Sequence, residues 1–155
     1  MIAKAATISH GGNAVRYSVN KDKAEIVKVN FLPDDISAEA MFQRMVLKQK
    51  EFSSIINKGR PLKRNVIRME ISPTKEESAG WTLADWVRLA NEYIRVFDSI
   101  DLSKKAKRAS AKFTNVKNSQ YVVALHHDAK SGIPHLHIDV NRVDMDCLLY
   151  TSDAA

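Results

Sequence analysis

The 155-residue sequence predicts an α+β domain in which helices and strands mix around a mostly antiparallel sheet. Three observations predict it. Two long segments carry apolar residues at helical spacing, several short runs rich in Val, Ile and Met alternate with period two, and the last two of those runs are separated by a Gly- and Pro-containing reversal. Hydrophobic residues make up 45% of the chain, so it is globular and long enough to bury a core.

The elements follow in order. Ile2 to Ile8 is a short apolar strand, and Ser9-His10-Gly11-Gly12-Asn13 is a flexible turn before the short segment Ala14 to Val19. Ile26 to Phe31 alternates weakly, as an edge strand does. Ser37 offers an N-cap to a helix over Ala38 to Ile56, whose apolar residues Met41, Met45, Phe52, Ile55 and Ile56 fall at helical spacing before Gly59-Arg60-Pro61 ends it. Asn65 to Ser72 reads as a strand through Val66, Ile67, Met69 and Ile71, and Pro73 closes it. Thr82 caps a second helix from Leu83 to about Ile100, with Trp86, Leu89, Ala90, Tyr93 and Phe97 on one face; these aromatics read as core.

The strongest chemical signal is that four of the five histidines, His126, His127, His135 and His137, fall within twelve residues. A strand sends residues i and i+2 to one face, so His135 and His137 present two imidazoles side by side. A hairpin over Ala129 to Pro134 brings the run Tyr121 to His127 back antiparallel and supplies a third. On the second strand Leu136, Ile138 and Val140 share the core face, leaving His135, His137, Asp139 and Asn141 on the other. On the first, packing Tyr121, Val123 and Leu125 inward puts His126 and Asp128 on the histidine face, whereas a bulge at the turn would substitute His127. Asp128 would orient a ligand imidazole or bind the metal itself. Three neutral imidazoles with an open position make a catalytic rather than a closed structural centre. Asp139 reads as a polar strand residue rather than a ligand.

Charge and cysteine usage narrow the class. Lys and Arg total 24 against 18 acidic residues, a formal net charge of +6, which favours a polyanionic partner such as nucleic acid. The single cysteine, Cys147, excludes an internal disulfide framework and a cysteine zinc cluster, as befits a reducing cytoplasm. No apolar run approaches a membrane span, and Met1 to Gly12 lacks a signal-peptide core, so a cytoplasmic protein is expected. Ser103 to Lys117 holds Lys104, Lys105, Lys107, Arg108, Lys112 and Lys117; most such runs are solvated loop, and the functional reading is a phosphate-contacting patch. After Asp144 the ending Leu-Leu-Tyr-Thr-Ser-Asp-Ala-Ala resembles translated adapter sequence. The expected domain is therefore 1–144, with 145–155 a non-native or truncated tail.

The histidine block, His126-His127-Asp128, then Pro134-His135-Leu136-His137, then Asn141-Arg142-Val143-Asp144, resembles the third motif of plasmid and transposon mobilisation relaxases, in the HUH endonuclease superfamily. Family members also carry a Gly-Gly, then Arg-Tyr and a Lys-rich stretch, matched by Gly11-Gly12-Asn13-Ala14-Val15-Arg16-Tyr17 and Asn20-Lys21-Asp22-Lys23. Two motifs in the right order, about 110 residues apart, are far less frequent by chance than either alone. Both motifs look similar to those of relaxases of Bacteroides-type mobile elements. Between the motifs, Asp34 to Lys117 matches only in its order of elements.

The resemblance implies an HUH-like sheet flanked by helices, present here as the N-terminal catalytic part. It implies site- and strand-specific nicking of single-stranded DNA at a transfer origin during conjugative mobilisation, with accessory mobilisation proteins as partners. Tyr17 would attack to leave a 5′-phosphotyrosine. Catalysis would rest on Tyr17 and Asp128, and the metal on His126, His135 and His137, with His127 as the alternative to His126. Arg16, Lys21, Asn141 and Arg142 would contact DNA. The ion would be Mg²⁺ or Mn²⁺, with Co²⁺, Ni²⁺ or Zn²⁺ also accepted by an all-histidine set. Two other readings share the fold: a rolling-circle replication initiator, in which the tyrosine usually follows the histidine motif, and a non-catalytic, truncated single-stranded-DNA-binding fragment. Covalent linkage of Tyr17 to DNA separates the first reading from the last.

Overall fold

The computed structural model describes residues 1–102 and 112–150. The elements run β1 (Ile2–Ile8), α1 (Gly11–Asn20), β2 (Glu25–Asn30), α2 (Ala38–Ile55), β3 (Val66–Ser72), α3 (Leu83–Asp98), a 3₁₀ turn (Val116–Asn118), β4 (Ser119–His126) and β5 (His135–Asp144). The five strands form one antiparallel sheet in the order β1-β3-β5-β4-β2. The expected α+β architecture is the one observed, with Ile26 to Phe31 realised as the edge strand β2.

The sheet is covered on both faces. Trp86, Ala90, Ile94 and Phe97 of α3 pack on Ile67, Met69, Ile71, Val123, Leu125, Leu136, Ile138 and Val140. On the opposite face Val15 of α1 and Ala38, Met41 and Met45 of α2 pack on Val66 and Val122. Period-two alternation in β5 suggests one wet face, but α1 and α2 cover most of it, so Asp139 and Asn141 lie buried beneath them.

Capping follows the expected chemistry. The Ser37 hydroxyl accepts from the Ala40 N–H at 3.1 Å, and the Asp85 carboxylate accepts from the Thr82 N–H at 2.8 Å. Helix α3 ends at Asp98, two residues short of the expected Ile100, and that carboxylate joins the helix end to the segment leading into β4. It accepts from the Thr114 hydroxyl at 2.6 Å and from the backbone N–H groups of Val116 (2.8 Å) and Lys117 (3.0 Å).

The Gly11-Gly12 pair corrects the expectation of a flexible turn, since α1 begins at Gly11. A Cβ on Gly11 would lie 2.4 Å from Val66 Cγ2 and 2.6 Å from Asn65 Oδ1. The missing side chain lets the helix start directly against β3.

Asn141, expected to contact DNA, has its side chain fully buried. Its amide donates to the Met45 carbonyl (3.1 Å) and Gln120 Oε1 (3.0 Å), while its oxygen accepts from Gln49 Nε2 (3.0 Å) and the Val143 N–H (3.2 Å). An amide so enclosed ties α2 to β4 and β5 and cannot reach a phosphate. Arg142 donates from Nε to the Tyr150 carbonyl and from Nη1 to the Arg64 carbonyl, both at 3.0 Å. Past Asp144 the chain folds back: the Tyr150 ring is buried and its hydroxyl donates to the Asn141 carbonyl at 3.2 Å. Of the expected tail, residues 151–155 lie outside the described residues.

Asn141→Ala strands several buried partners at once and should destabilise the fold by roughly 2–4 kcal/mol. Urea unfolding measures this, and an unchanged midpoint would contradict the tying role.

Candidate metal centre and nucleophile

Pairing of β4 with β5 sets His126 opposite His135 and Ala124 opposite His137, so three imidazoles share one face. Ring centroids lie 4.2 Å apart for His126 and His137, 4.9 Å for His135 and His137, and 5.5 Å for His126 and His135. One nitrogen from each ring lies within 4.8 Å of the others. The reversal closes through a bond from the Gly132 N–H to the Ala129 carbonyl (2.8 Å), with Gly132 at φ 71°, a conformation that suits a residue without a side chain. His127 turns the other way, its Nε2 3.4 Å from Glu25 Oε2.

The donor set fits a metal. His126 Nε2 lies 2.8 Å from the Ser18 carbonyl, which as acceptor fixes the proton there and leaves Nδ1, buried and without a hydrogen-bond partner, as the free lone pair. Both nitrogens of His137 are likewise buried without a partner, and Nδ1 faces Glu70 Oε1 at 3.6 Å. Buried polar atoms left this way are costly in a native fold, and a cation between the rings would satisfy one nitrogen of each. Burial lowers His126, with His135 adding to it against the Ser18 carbonyl. Burial and the charge of His126 together hold His137 at about 3 despite Glu70. Both rings are therefore neutral near pH 7, the form that ligates metal.

Tyr17 stands over this cluster. Ala14, Val15 and Ser18 turn the inner side of α1 to the sheet, which leaves Tyr17 and Lys21, one turn apart, on the stripe overlooking the histidines. The Tyr17 ring centroid is 5.5 Å from that of His126 and 5.6 Å from that of His137, and the residue stays 40% exposed. Two cations lie close to the ring, Lys21 Nζ at 4.8 Å and the Arg68 guanidinium at 5.4 Å from its centroid.

Other expected site residues fall nearby or apart. The carboxylate of Asp128 pairs with Lys21 Nζ at 3.1 Å; this bond and the charge of each partner on the other hold the acid below its ordinary range and raise the lysine. Asp128 is thus paired with Lys21, and the carboxylate facing an imidazole of the trio is Glu70. Arg16 leans away to Glu39 of α2 and Asn13. Lys104, Lys105, Lys107 and Arg108 lie outside the described residues.

Glu70 and Arg68 were not singled out by sequence reasoning. The available signal was their alternation with Ile67, Met69 and Ile71, which puts two charged residues on the face opposite the core; Arg68 pairs in register with Asp139 and Glu70 with His137. Burial pushes the Glu70 carboxyl up, but the bond from Lys4 and the charges of His137, Lys4 and Arg68 outweigh it and leave it below its usual range. Asp139 is buried with neither oxygen hydrogen-bonded, and burial pushes it up to about 6 although Ser18 and Arg68 pull the other way.

An antiparallel sheet with a histidine trio on two adjacent inner strands, β4 and β5, and a tyrosine helix above it defines a nuclease domain of the HUH type. Residues 14–154 match the family described as Relaxase: MobA/VirD2-like, nuclease domain, and the chain belongs to that family. It is therefore a DNA-nicking relaxase domain in general terms. No curated protein matches the sequence. Among the described residues no helix is long and apolar enough to cross a membrane.

The raised Asp139 gives a signed pH prediction. A carboxyl near 6 when folded and near 3.8 when unfolded destabilises the fold increasingly as pH rises between those values. Asp139→Asn removes this while the histidine titrations cancel between variant and parent. Its stability gain in chelator should be about 1.5 kcal/mol larger at pH 8 than at pH 5. Urea titrations at the two pH values check this; an equal effect at both would rule out the burial-driven shift.

Proposed function

We propose that this chain nicks one strand of DNA at a plasmid or transposon transfer origin, by transesterification onto Tyr17. The observation that carries the reading is the seat of the Tyr17 ring, within 5.6 Å of the rings of both His126 and His137. A structural tyrosine has no need of that place, and a nucleophile does.

In the reaction the Tyr17 hydroxyl oxygen attacks the scissile phosphorus and a new O–P bond forms. The bond from phosphorus to the 3′ oxygen breaks, its electron pair stays on that oxygen, and the proton lost by the phenol is made up there through solvent. The products are a 5′-phosphotyrosine and a free 3′-hydroxyl, so the phosphoester remains available for religation. His126, His135 and His137 would hold the metal, with the Ser18 carbonyl fixing the orientation of His126 and the Glu70 carboxylate facing His137. A divalent ion bound there supplies Lewis-acid stabilisation of the extra charge on the phosphate oxygens. Lys21, steadied by Asp128, approaches the same face and would meet the phosphate. Mg²⁺ or Mn²⁺ is the proposed ion and single-stranded DNA the substrate, with accessory mobilisation proteins delivering the origin.

Incubation with Mn²⁺ and a pool of labelled single-stranded oligonucleotides should yield a denaturation-resistant protein–DNA adduct that disappears in Tyr17→Phe. Metal-dependent DNA cleavage without an adduct would instead indicate hydrolysis. In calorimetry, His126→Ala should weaken Mn²⁺ binding at least tenfold, and His127→Ala by less than twofold; the reverse order would reassign the third ligand.

A further inference from the structure

Arg68 occupies a position that its visible contacts do not explain. It extends from β3 onto the histidine face, its guanidinium 5.4 Å from the Tyr17 ring centroid. One nitrogen, Nη2, donates to Glu70 Oε1 at 3.1 Å, while Nε is buried with no hydrogen-bond partner. A guanidinium offers five donors in a rigid fork, and leaving a buried one unmet costs stability. Its neighbour on β1 is Ala6, so the adjoining wall is low, and a groove of about 360 Å³ lined by Lys4, Ala6, His10, Arg68 and Glu70 opens beside it.

We propose that Arg68 is a catalytic residue that grips a non-bridging oxygen of the scissile phosphodiester beside Tyr17. The proposal rests on the nicking reaction above. Both cations lie close to the ring, so a phosphate brought to the tyrosine oxygen meets their positive charge as well as the histidine face. Arg68 stays protonated throughout; it takes no proton and forms no bond, but neutralises the charge that gathers on phosphorus-bound oxygens while the Tyr17–phosphorus bond forms and the bond to the 3′ oxygen breaks. Its fork geometry suits two such oxygens, which a lysine cannot match. Glu70 does not prevent the transfer. It also holds Lys4 Nζ at 3.0 Å, so its charge stays paired when Arg68 swings to the phosphate.

The test uses the full chain, Mn²⁺ and the same oligonucleotide pool, and compares adduct formation at saturating DNA for the parent, Arg68→Ala and Arg68→Lys. Thermal melts confirm folding, and calorimetry gives each Mn²⁺ Kd. The expected result is a rate about 100-fold lower in Arg68→Ala and partly recovered in Arg68→Lys, with Mn²⁺ affinity within about threefold of the parent. Should Arg68→Ala not fold, Arg68→Lys decides alone, with a loss of about tenfold expected because one ammonium replaces a fork. A variant rate within threefold of the parent overturns the proposal. So does a parallel loss of Mn²⁺ affinity, which would mean that Arg68 acts through Glu70 and His137. Absence of an adduct from the parent itself is a different failure: it removes the nicking reaction, and Arg68's part in it falls with it.

Discussion

The antiparallel pairing of β4 and β5 sets almost everything else in the molecule. With His126 opposite His135 and Ala124 opposite His137, three imidazoles converge on one face, and a one-residue slip would send His126 through the sheet into the α3 core. Leu125, Leu136, Val123 and Ile138 on the other face make such a slip expensive, because each would exchange an apolar neighbour for a polar one. The chemistry of the site is thus held in place by packing on the side of the sheet that the substrate never meets.

Burial on the histidine face explains the electrostatics. α1 and α2 exclude water from His126, His137 and Asp139, which keeps the first two neutral and pushes the carboxyl up. The charged groups that remain, Lys4, Arg68, Glu70, Lys21 and Asp128, pair with one another around the rim. A neutral donor set inside a cationic rim suits a cation bound from within and a phosphate approaching from without.

Much of this was legible in the sequence, for identifiable reasons. Strands and helices with strong period, such as Val66–Ser72 and Leu83–Asp98, are announced by their own apolar residues. The pleat also places His126 rather than His127 with the other two, because bulky residues on β4 and β5 mark the core side. What stayed hidden depends on partners far away in sequence. Nothing local says that α2 will cover Asn141, that Gly11 serves a close approach to Val66 rather than a bend, or that Arg68 and Glu70 will face a histidine pair about 70 residues later. A polar strand residue looks the same whether water or a helix lies above it.

Strand order carries a consequence for assembly. β1 pairs with β3 and β2 with β4, and among the described strands the two pairs meet only through β5, which follows the other four in the chain and enters between them. β5 also brings two of the three imidazoles. A nascent chain that has made its first four strands owns the tyrosine helix but neither a joined sheet nor the histidine trio, so Tyr17 meets all three imidazoles only once β5 has locked the halves together.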